Sequence, residues 1–138
     1  MLHTKGLLVV KNTIYKVLFI SWMMFVTFFS LFSLSGVETS GIDIPHIDKA
    51  VHFTFYFGVV VLGYLTLSKR NSTIKGRSKL LWYMVLFAVC YGIIIEILQH
   101  VATTDRHGDP LDALANSTGA LVGMLAVRIL FFRIPALK

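Results

Sequence analysis

The sequence predicts an all-α membrane protein in which four transmembrane helices form one bundle. Hydrophobic residues make up 56% of the 138-residue chain and charged residues only 14%, whereas soluble domains carry about 25% charged residues. The apolar residues are gathered into four stretches, each close to the roughly 20 helical residues that cross a bilayer core. Basic and acidic segments alternate between these stretches. These three observations indicate a single integral membrane domain that covers residues 1–138.

The predicted spans share length and apolar character. They are Ile14 to Leu34, Asp48 to Leu67, Leu80 to Gln99 and Leu111 to Phe132. The first span has a second interpretation as a cleaved signal peptide, with Ser33-Leu34-Ser35 as the cleavage site. Its apolar run is longer than the about 7 to 15 residues that are typical of such a signal. We therefore favour a retained helix.

The charge distribution predicts the orientation of the spans. Eleven of the thirteen Lys and Arg residues lie in the N-terminal tail, the loop after the second span and the C-terminal tail. Lys and Arg next to spans mark the cytoplasmic side of a membrane. All seven acidic residues lie in or beside the other two connections. They are Glu38, Asp43, Asp48, Glu96, Asp105, Asp109 and Asp112. Both termini are therefore predicted to be cytoplasmic, and the acidic side external.

Composition and motifs exclude several classes of function. The net charge is +6, but the basic residues flank apolar stretches and form no nucleic-acid-binding motif. Their expected partners are membrane lipids. The single cysteine, Cys90, permits no internal disulfide and no CxxC pair. The chain has no nucleophile elbow, HExxH motif or phosphate-binding glycine loop. We predict no cofactor and no nucleic-acid partner.

Polar residues recur at helical spacing at the acidic ends of the last three spans. Ionisable groups within a span usually face the bundle interior or a water-filled cavity. Each of these spans carries one stripe of such residues, so the sequence predicts an outward-open pocket. Its residues are Asp48, His52, Tyr56, Glu96, Gln99, Arg106, Asp109, Asp112 and Asn116. Beneath it, Ala115, Gly119 and Gly123 form small-xxx-small steps that favour close helix packing.

Several pocket residues also have a purely structural interpretation. Glu96 can pair with Arg106 or with protonated His52 as a lock between helices. Asp109 precedes Pro110, for which helix capping is the favoured interpretation. Asp112 lies in a first helical turn, so capping and a pocket role remain open. His52 and Asn116 can be interhelical hydrogen-bond partners.

These residues resemble the VanZ-like family of small bacterial membrane proteins. The resemblance rests on Asp48-Lys49, His52-Phe53 and Tyr56, and on the pattern E-x2-Q-x6-R-x2-D-x2-D-x3-N-x2-G that runs from Glu96 to Gly119. It covers roughly Asp48 to Gly123. It implies a multi-pass protein of the bacterial cytoplasmic membrane, and the namesake of the family raises resistance to teicoplanin, a lipid-bearing glycopeptide. The resemblance implies no particular reaction.

The first functional hypothesis is a non-catalytic protein of the cell envelope. Its outward pocket would bind the polar or cationic group of a lipid-linked cell-wall precursor or of a lipoglycopeptide, and so contribute to glycopeptide resistance. A pocket lined by carboxylates at the depth of the lipid head groups suits a ligand with one apolar and one polar end. This hypothesis requires binding alone, without a catalytic step.

Two further hypotheses use the same residues. In a membrane enzyme that acts on a lipid-linked substrate, the catalytic candidates are His52, Glu96 and Asp112, and Arg106 would stabilise an oxyanion or phosphate. A divalent metal is a variant of this hypothesis, but one histidine among carboxylates is a weak signal, so no metal is predicted. In a small proton-coupled transporter, the same three residues would relay protons. The apolar inner halves of the helices argue against such a path.

Overall fold

The computed structural model describes residues 2–31, 47–68, 73–102 and 109–133. The helices are α1 (Leu2–Leu31), α2 (Ile47–Leu67), α3 (Ile74–Ala102) and α4 (Pro110–Arg128), and α4 continues into a π-helical turn, Ile129–Arg133. The described residues include no strand. Within these described ranges, four segments are long and apolar enough to cross a membrane: Asn12–Leu31, Ile47–Leu67, Ile74–Val101 and Pro110–Phe131. The predicted all-α, four-span fold is confirmed.

Two helices extend beyond the apolar stretches that predicted them. α1 begins at Leu2 and α3 at Ile74, both before the predicted starts of their spans. The added turn of α3 contains Lys75 and Lys79, and lysine is a good helix former that needs no apolar surroundings. The proposed cleavage site at Ser33-Leu34-Ser35 lies outside the described residues.

α2 and α4 form the most extensive contact between helices. At Gly119, a Cβ atom would overlap the backbone carbonyl of Phe53, and at Gly123 it would lie 2.9 Å from the carbonyl oxygen of Phe57. Only glycine permits so close an approach of one backbone to another. The close packing predicted from the small-xxx-small steps is therefore present, and it fixes the distance between α2 and α4.

The bundle interior beneath the polar residues is apolar. Its fully buried side chains include Val59, Val60, Tyr64, Ala120 and Val127. Large apolar side chains also cover the outer surface, where Leu86, Ile94 and Leu125 are exposed. Helices that are apolar on all sides are typical of membrane spans.

Hydrogen bonds connect α1 to the rest of the bundle. The indole nitrogen of Trp22 donates to the backbone oxygen of Phe55 at 3.0 Å, and the side-chain amide of Gln99 donates to the backbone oxygen of Ser30 at 2.8 Å. The Trp22 ring also occupies the space that a side chain at Gly58 would need. These contacts connect the second half of α1 to α2 and α3.

Candidate functional site

A lysine near the start of α2 lies among three carboxylates. The Nζ atom of Lys49 donates to Asp48 Oδ2 at 2.8 Å, to Asp109 Oδ2 at 2.9 Å and to Asp112 Oδ1 at 3.0 Å. These residues are called the Lys49 cluster below. A primary ammonium group has three N–H donors, and here each can be directed at a different carboxylate. The Lys49 side chain is only 20% exposed, so these contacts are partly shielded from water.

Asp109 uses its two carboxylate oxygens for different purposes. Oδ1 accepts a hydrogen bond from the backbone nitrogen of Leu111 at 2.9 Å, which makes Asp109 the N-cap of α4, with Pro110 as the first helical residue. The predicted capping role is confirmed. Oδ2 accepts from Lys49. The hydrogen bond from Lys49, and next the one from Leu111, lower the pKa of the Asp109 carboxyl below its usual 3.8.

A second group of polar side chains surrounds the buried imidazole of His52. Its Nδ1 atom lies 3.0 Å from Asn116 Oδ1 and 3.8 Å from Glu96 Oε1. Its Nε2 atom lies 3.7 Å from Asp112 Oδ2. His52, Glu96, Asp112 and Asn116 are called the His52 cluster below. They come from α2, α3 and α4, so the three predicted stripes do meet.

Glu96 joins α3 to α4 through both of its carboxylate oxygens. Oε1 accepts from Asn116 Nδ2 at 3.4 Å, and Oε2 accepts from the backbone nitrogen of Asp109 at 3.3 Å. One side chain of α3 thus contacts the cap of α4 and a residue two turns further along that helix. The longer distances indicate weak hydrogen bonds.

Asp112 belongs to both clusters. Its Oδ1 atom accepts from Lys49, while its Oδ2 atom faces the imidazole of His52. Its side chain is 13% exposed. The two clusters are therefore neighbouring sites that share one carboxylate.

Tyr56 lies on the same face of α2 as His52, one turn deeper. Its side chain is fully buried, and its hydroxyl has no hydrogen-bond partner among the described residues. A Cβ atom added at Gly92 would lie 3.1 Å from both the Tyr56 ring and Asn116 Nδ2, so this ring lies beside the His52 cluster.

Two residues of the predicted pocket differ from the rest. Gln99 is buried, and its amide donates to Ser30 of α1, so it connects α3 to α1. Arg106 lies outside the described residues. The remaining predicted residues, from Asp48 to Asn116, lie in the two clusters or directly beside them.

Sequence reasoning missed Lys49 as a site residue. Lys49 entered the family resemblance and the count of cations on the acidic side but not the predicted pocket, although its ammonium is the centre of three ion pairs. A usable signal was present in the spacing, because Lys49 precedes His52 by three positions and residues so spaced lie on one face of a helix. This spacing places Lys49 on the same face of α2 as His52, one turn closer to the start of the helix.

A groove of about 290 Å³ runs beside the clusters between α3 and α4. Its lining combines the polar residues Glu96, His100 and Asp109 with the apolar residues Ile97, Pro110 and Ala113. Glu96 belongs to the His52 cluster and Asp109 to the Lys49 cluster, so the groove adjoins both. The groove therefore offers a carboxylate-containing wall next to an apolar wall.

Both clusters bring together side chains of the types that bind cations. Ligand-type atoms of His52, Glu96 and Asp112 all lie within 4.8 Å of one another, and so do those of Asp48, Asp109 and Asp112. In the second group, Lys49 already supplies a positive charge. The first group has an imidazole and two carboxylates.

Comparison with known proteins gives one positive finding. The family model described as VanZ/LLP1 matches residues 4–132. The match includes α1, which lies outside the region that carried the resemblance in the sequence. Comparisons with curated proteins and with solved structures give no match.

Proposed function

The chain belongs to the VanZ/LLP1 family, and from this premise we propose that it binds the primary amine of a lipid-linked or lipophilic molecule at the outer face of the bacterial cytoplasmic membrane. The observation that carries the proposal is the Lys49 ammonium with its three carboxylates. Three carboxylates that already bind one primary ammonium support a ligand with the same group. The amine of a ligand would compete with Lys49 or bind beside it.

The charge of the site favours a cationic ligand over an anionic one. Among the described residues, the two clusters contain four carboxylates and one lysine, which leaves a net charge of −3 when all are ionised and His52 is neutral. Opposite charges about 4 Å apart attract by about 4 kcal/mol at the effective dielectric constant of a protein surface. An additional ammonium group is therefore attracted to this end of the bundle.

The groove between α3 and α4 favours a ligand that also has a hydrocarbon part. Ile97 and Ala113 line it beside the carboxylate of Glu96, and Ile97 is exposed on the outer surface of α3. An acyl chain in the bilayer can lie against these residues while its amine reaches the clusters. Lipid-linked cell-wall precursors and lipoglycopeptides such as teicoplanin combine these two parts, and binding of the latter would give resistance.

The positive-inside rule supports a location of the clusters outside the cell. Lys75, Lys79 and Arg128 lie at the opposite ends of α3 and α4, and the membrane side that carries them is proposed to be cytoplasmic. Both termini are then cytoplasmic, and the clusters face the leaflet where the proposed ligands occur.

Matched amphiphiles provide the most direct test. Purified protein in nanodiscs should bind dodecylamine more tightly than dodecyltrimethylammonium, because both carry one positive charge but only the primary amine can donate hydrogen bonds. Asp112→Asn and Glu96→Gln should each weaken dodecylamine binding by about tenfold or more, since a hydrogen bond to a charged group contributes about 1.5–3 kcal/mol. Trp82→Phe serves as a control, because Trp82 is 55% exposed on α3. Equal binding of the two amphiphiles would refute the amine site.

The cellular test uses the same variants. Asp112→Asn and Glu96→Gln should insert into the membrane at wild-type levels but lose protection against teicoplanin, while Trp82→Phe retains both. Loss of membrane insertion in both polar variants would instead support the structural-lock interpretation of these residues. Binding of teicoplanin and of a lipid-linked precursor to the purified protein, without formation of a product, completes the test.

The position of His52 favours a membrane enzyme as the second candidate. Its imidazole lies between the carboxylates of Asp112 and Glu96, which is an arrangement suited to acid–base catalysis. Turnover of a labelled lipid-linked substrate that is lost in His52→Ala would favour this function over simple binding. A proton relay has less support, because the buried side chains described below the clusters, such as Val59, Val60 and Ala120, are apolar.

A further inference from the structure

We propose that Lys75, Ser78, Lys79 and Arg128 bind the phosphate head group of an anionic phospholipid, at the end of the bundle opposite to the two clusters. Arg128 lies in the last turn of α4, and the other three residues lie in the first two turns of α3. These four residues are called the basic site below. The inference goes beyond the amine site and does not depend on it, because the two sites share no residue.

A hydrogen bond between side chains joins α4 to α3 in the basic site. The guanidinium Nη2 atom of Arg128 donates to Ser78 Oγ at 3.1 Å. A guanidinium group has five N–H donors, and the bond to Ser78 is the one hydrogen bond of this side chain within the described part of the chain. Arg128 is exposed, so its other N–H groups are available to a ligand.

Ser78 orients the guanidinium group and retains a donor of its own. Its oxygen accepts from Arg128, and its hydroxyl proton has no acceptor among the residues that the structure describes. A serine hydroxyl can accept one hydrogen bond and donate another at the same time. N–H and O–H donors from two neighbouring helices therefore lie side by side. Such a set of donors suits the several oxygens of a phosphate group.

Lys75 and Lys79 add two positive charges on the face of α3 that carries Ser78. Ser78 follows Lys75 by three positions and Lys79 follows it by four, and residues so spaced are neighbours on a helix surface. Both lysines are exposed. The Nζ atom of Lys79 lies 5.7 Å from the centroid of the Tyr83 ring, which is a cation–π distance. This contact holds the ammonium group of Lys79 against the surface of α3.

The charge of the basic site requires an anionic ligand. All carboxylates of the described residues belong to the two clusters at the opposite end of the bundle. Lys75, Lys79 and Arg128 therefore form no ion pair within the described part of the chain. The positive-inside rule accounts for cations at this end, but it does not require the bond between Arg128 and Ser78. That bond gives the positive charge a defined binding geometry.

The position of the basic site along the helices favours a lipid over a soluble anion. Its residues lie near the ends of the apolar segments Ile74–Val101 and Pro110–Phe131. Basic side chains at such positions reach the head-group region of the membrane, where basic pockets between spans bind anionic head groups. Towards the middle of the same helices, Leu86 and Leu125 are exposed. Acyl chains can lie along this apolar surface while the phosphate contacts Arg128.

The structural alternative is a contact that only joins α3 to α4. Arg128 lies near the negative end of the α4 dipole, where a basic residue is favourable, and its bond to Ser78 connects the two helices. Neither role uses the exposed charges of Lys75 and Lys79. The two interpretations also differ in their consequences, because a purely structural contact gives no preference between lipid head groups.

Native mass spectrometry of the full-length protein in detergent measures lipid binding directly. The probes are phosphatidylglycerol and phosphatidylcholine with identical acyl chains, and the wild type should bind phosphatidylglycerol more tightly. Arg128→Gln should lower this preference by about fivefold or more, which is the contribution of one basic residue near an anionic surface. Lys16→Gln is the matched control, because it removes an exposed positive charge from α1 at the same end of the bundle, where Thr66 donates to the backbone oxygen of Tyr15. Its lipid preference should equal that of the wild type.

Three further measurements complete the test. Ser78→Ala keeps every charge and should lower the preference by about twofold to tenfold, the range for one hydrogen bond. Glycerol phosphate in excess should not displace the lipid, and displacement would assign the site to a soluble anion instead. Equal binding of the two lipids by the wild type, or an equal loss in Lys16→Gln and Arg128→Gln, would overturn the proposal. Dodecylamine affinity should be unchanged in Arg128→Gln, so this proposal and the amine site can fail separately.

Discussion

Replacement of Gly119 by alanine tests how the two halves of the site are held together. The new Cβ atom would overlap the backbone carbonyl of Phe53, and a backbone cannot rotate away as a side chain can. Overpacking of this kind costs about 1–3 kcal/mol, while alanine gains about 1 kcal/mol over glycine in a helix. Because the overlapped atoms are backbone, the cost should lie in the upper part of this range, about 2–3 kcal/mol. We therefore expect the free energy of unfolding of Gly119→Ala to fall by about 1–2 kcal/mol.

Two other glycines provide a graded comparison. Gly123→Ala should be closer to neutral, because its Cβ would lie 2.9 Å from Phe57 O and needs a shift of only about 0.5 Å to reach the ordinary contact distance of 3.4 Å. Gly76→Ala should be stabilising by up to about 1 kcal/mol, since Gly76 is exposed and its Cβ would meet only the Thr73 side chain, at 3.3 Å. Reversible unfolding in mixed micelles with increasing fractions of denaturing detergent, followed by circular dichroism, measures all three.

The same variants should differ in ligand binding. A shift of α4 away from α2 lengthens the 3.0 Å contacts of Asp112 with Lys49 and of Asn116 with His52, and hydrogen bonds weaken steeply as they lengthen and lose alignment. Dodecylamine affinity should therefore fall in Gly119→Ala but not in Gly76→Ala. A Gly119→Ala protein as stable as the wild type would refute the close α2–α4 approach.

Three further outcomes are expected. A cysteine at Asp105 should react with an impermeant thiol reagent added outside the cell and one at Ser72 should not; the reverse pattern contradicts the proposed orientation. The pKa of Asp109 is lower in the folded protein than in the unfolded chain, so the stabilising contribution of its carboxylate is present above the unfolded pKa and is lost as the pH falls through the folded pKa. Asp109→Asn should therefore lower the free energy of unfolding at neutral pH and leave it unchanged in strong acid. Asp48→Asn should weaken dodecylamine binding, since it removes one of the three carboxylates that contact Lys49; unchanged affinity would contradict the amine site.

The sequence predicts the fold of this chain well because the bilayer simplifies the problem. Span length and apolar content are set by the membrane, so four spans could be identified without knowledge of their neighbours. The Gly119 and Gly123 spacing and the Asp109-Pro110 pair are equally local signals, and the structure confirms the close packing and the helix cap that they predicted.

The site was predicted less completely, because periodicity gives the face of a helix but not the helix that it meets. Gln99 shares a stripe with Glu96, yet it contacts Ser30 of α1. Lys49 looked like a cation in a connection, and only the packing of α4 against α2 brings Asp109 and Asp112 to it. Both outcomes depend on helix rotation and register, which the spacing of residues in one chain does not determine.

The double role of Asp112 has a thermodynamic consequence. One oxygen of Asp112 faces Lys49 and the other faces His52. A cation bound in one cluster therefore changes the electric field at this carboxylate and its orientation, and the other cluster uses the same carboxylate. A cation that binds in the Lys49 cluster would therefore also alter the contact between Asp112 and His52. By linkage, a change at His52 that moves Asp112 would alter the affinity for that cation. Asp112→Asn should disturb both clusters, whereas Asp48→Asn should disturb the Lys49 cluster alone.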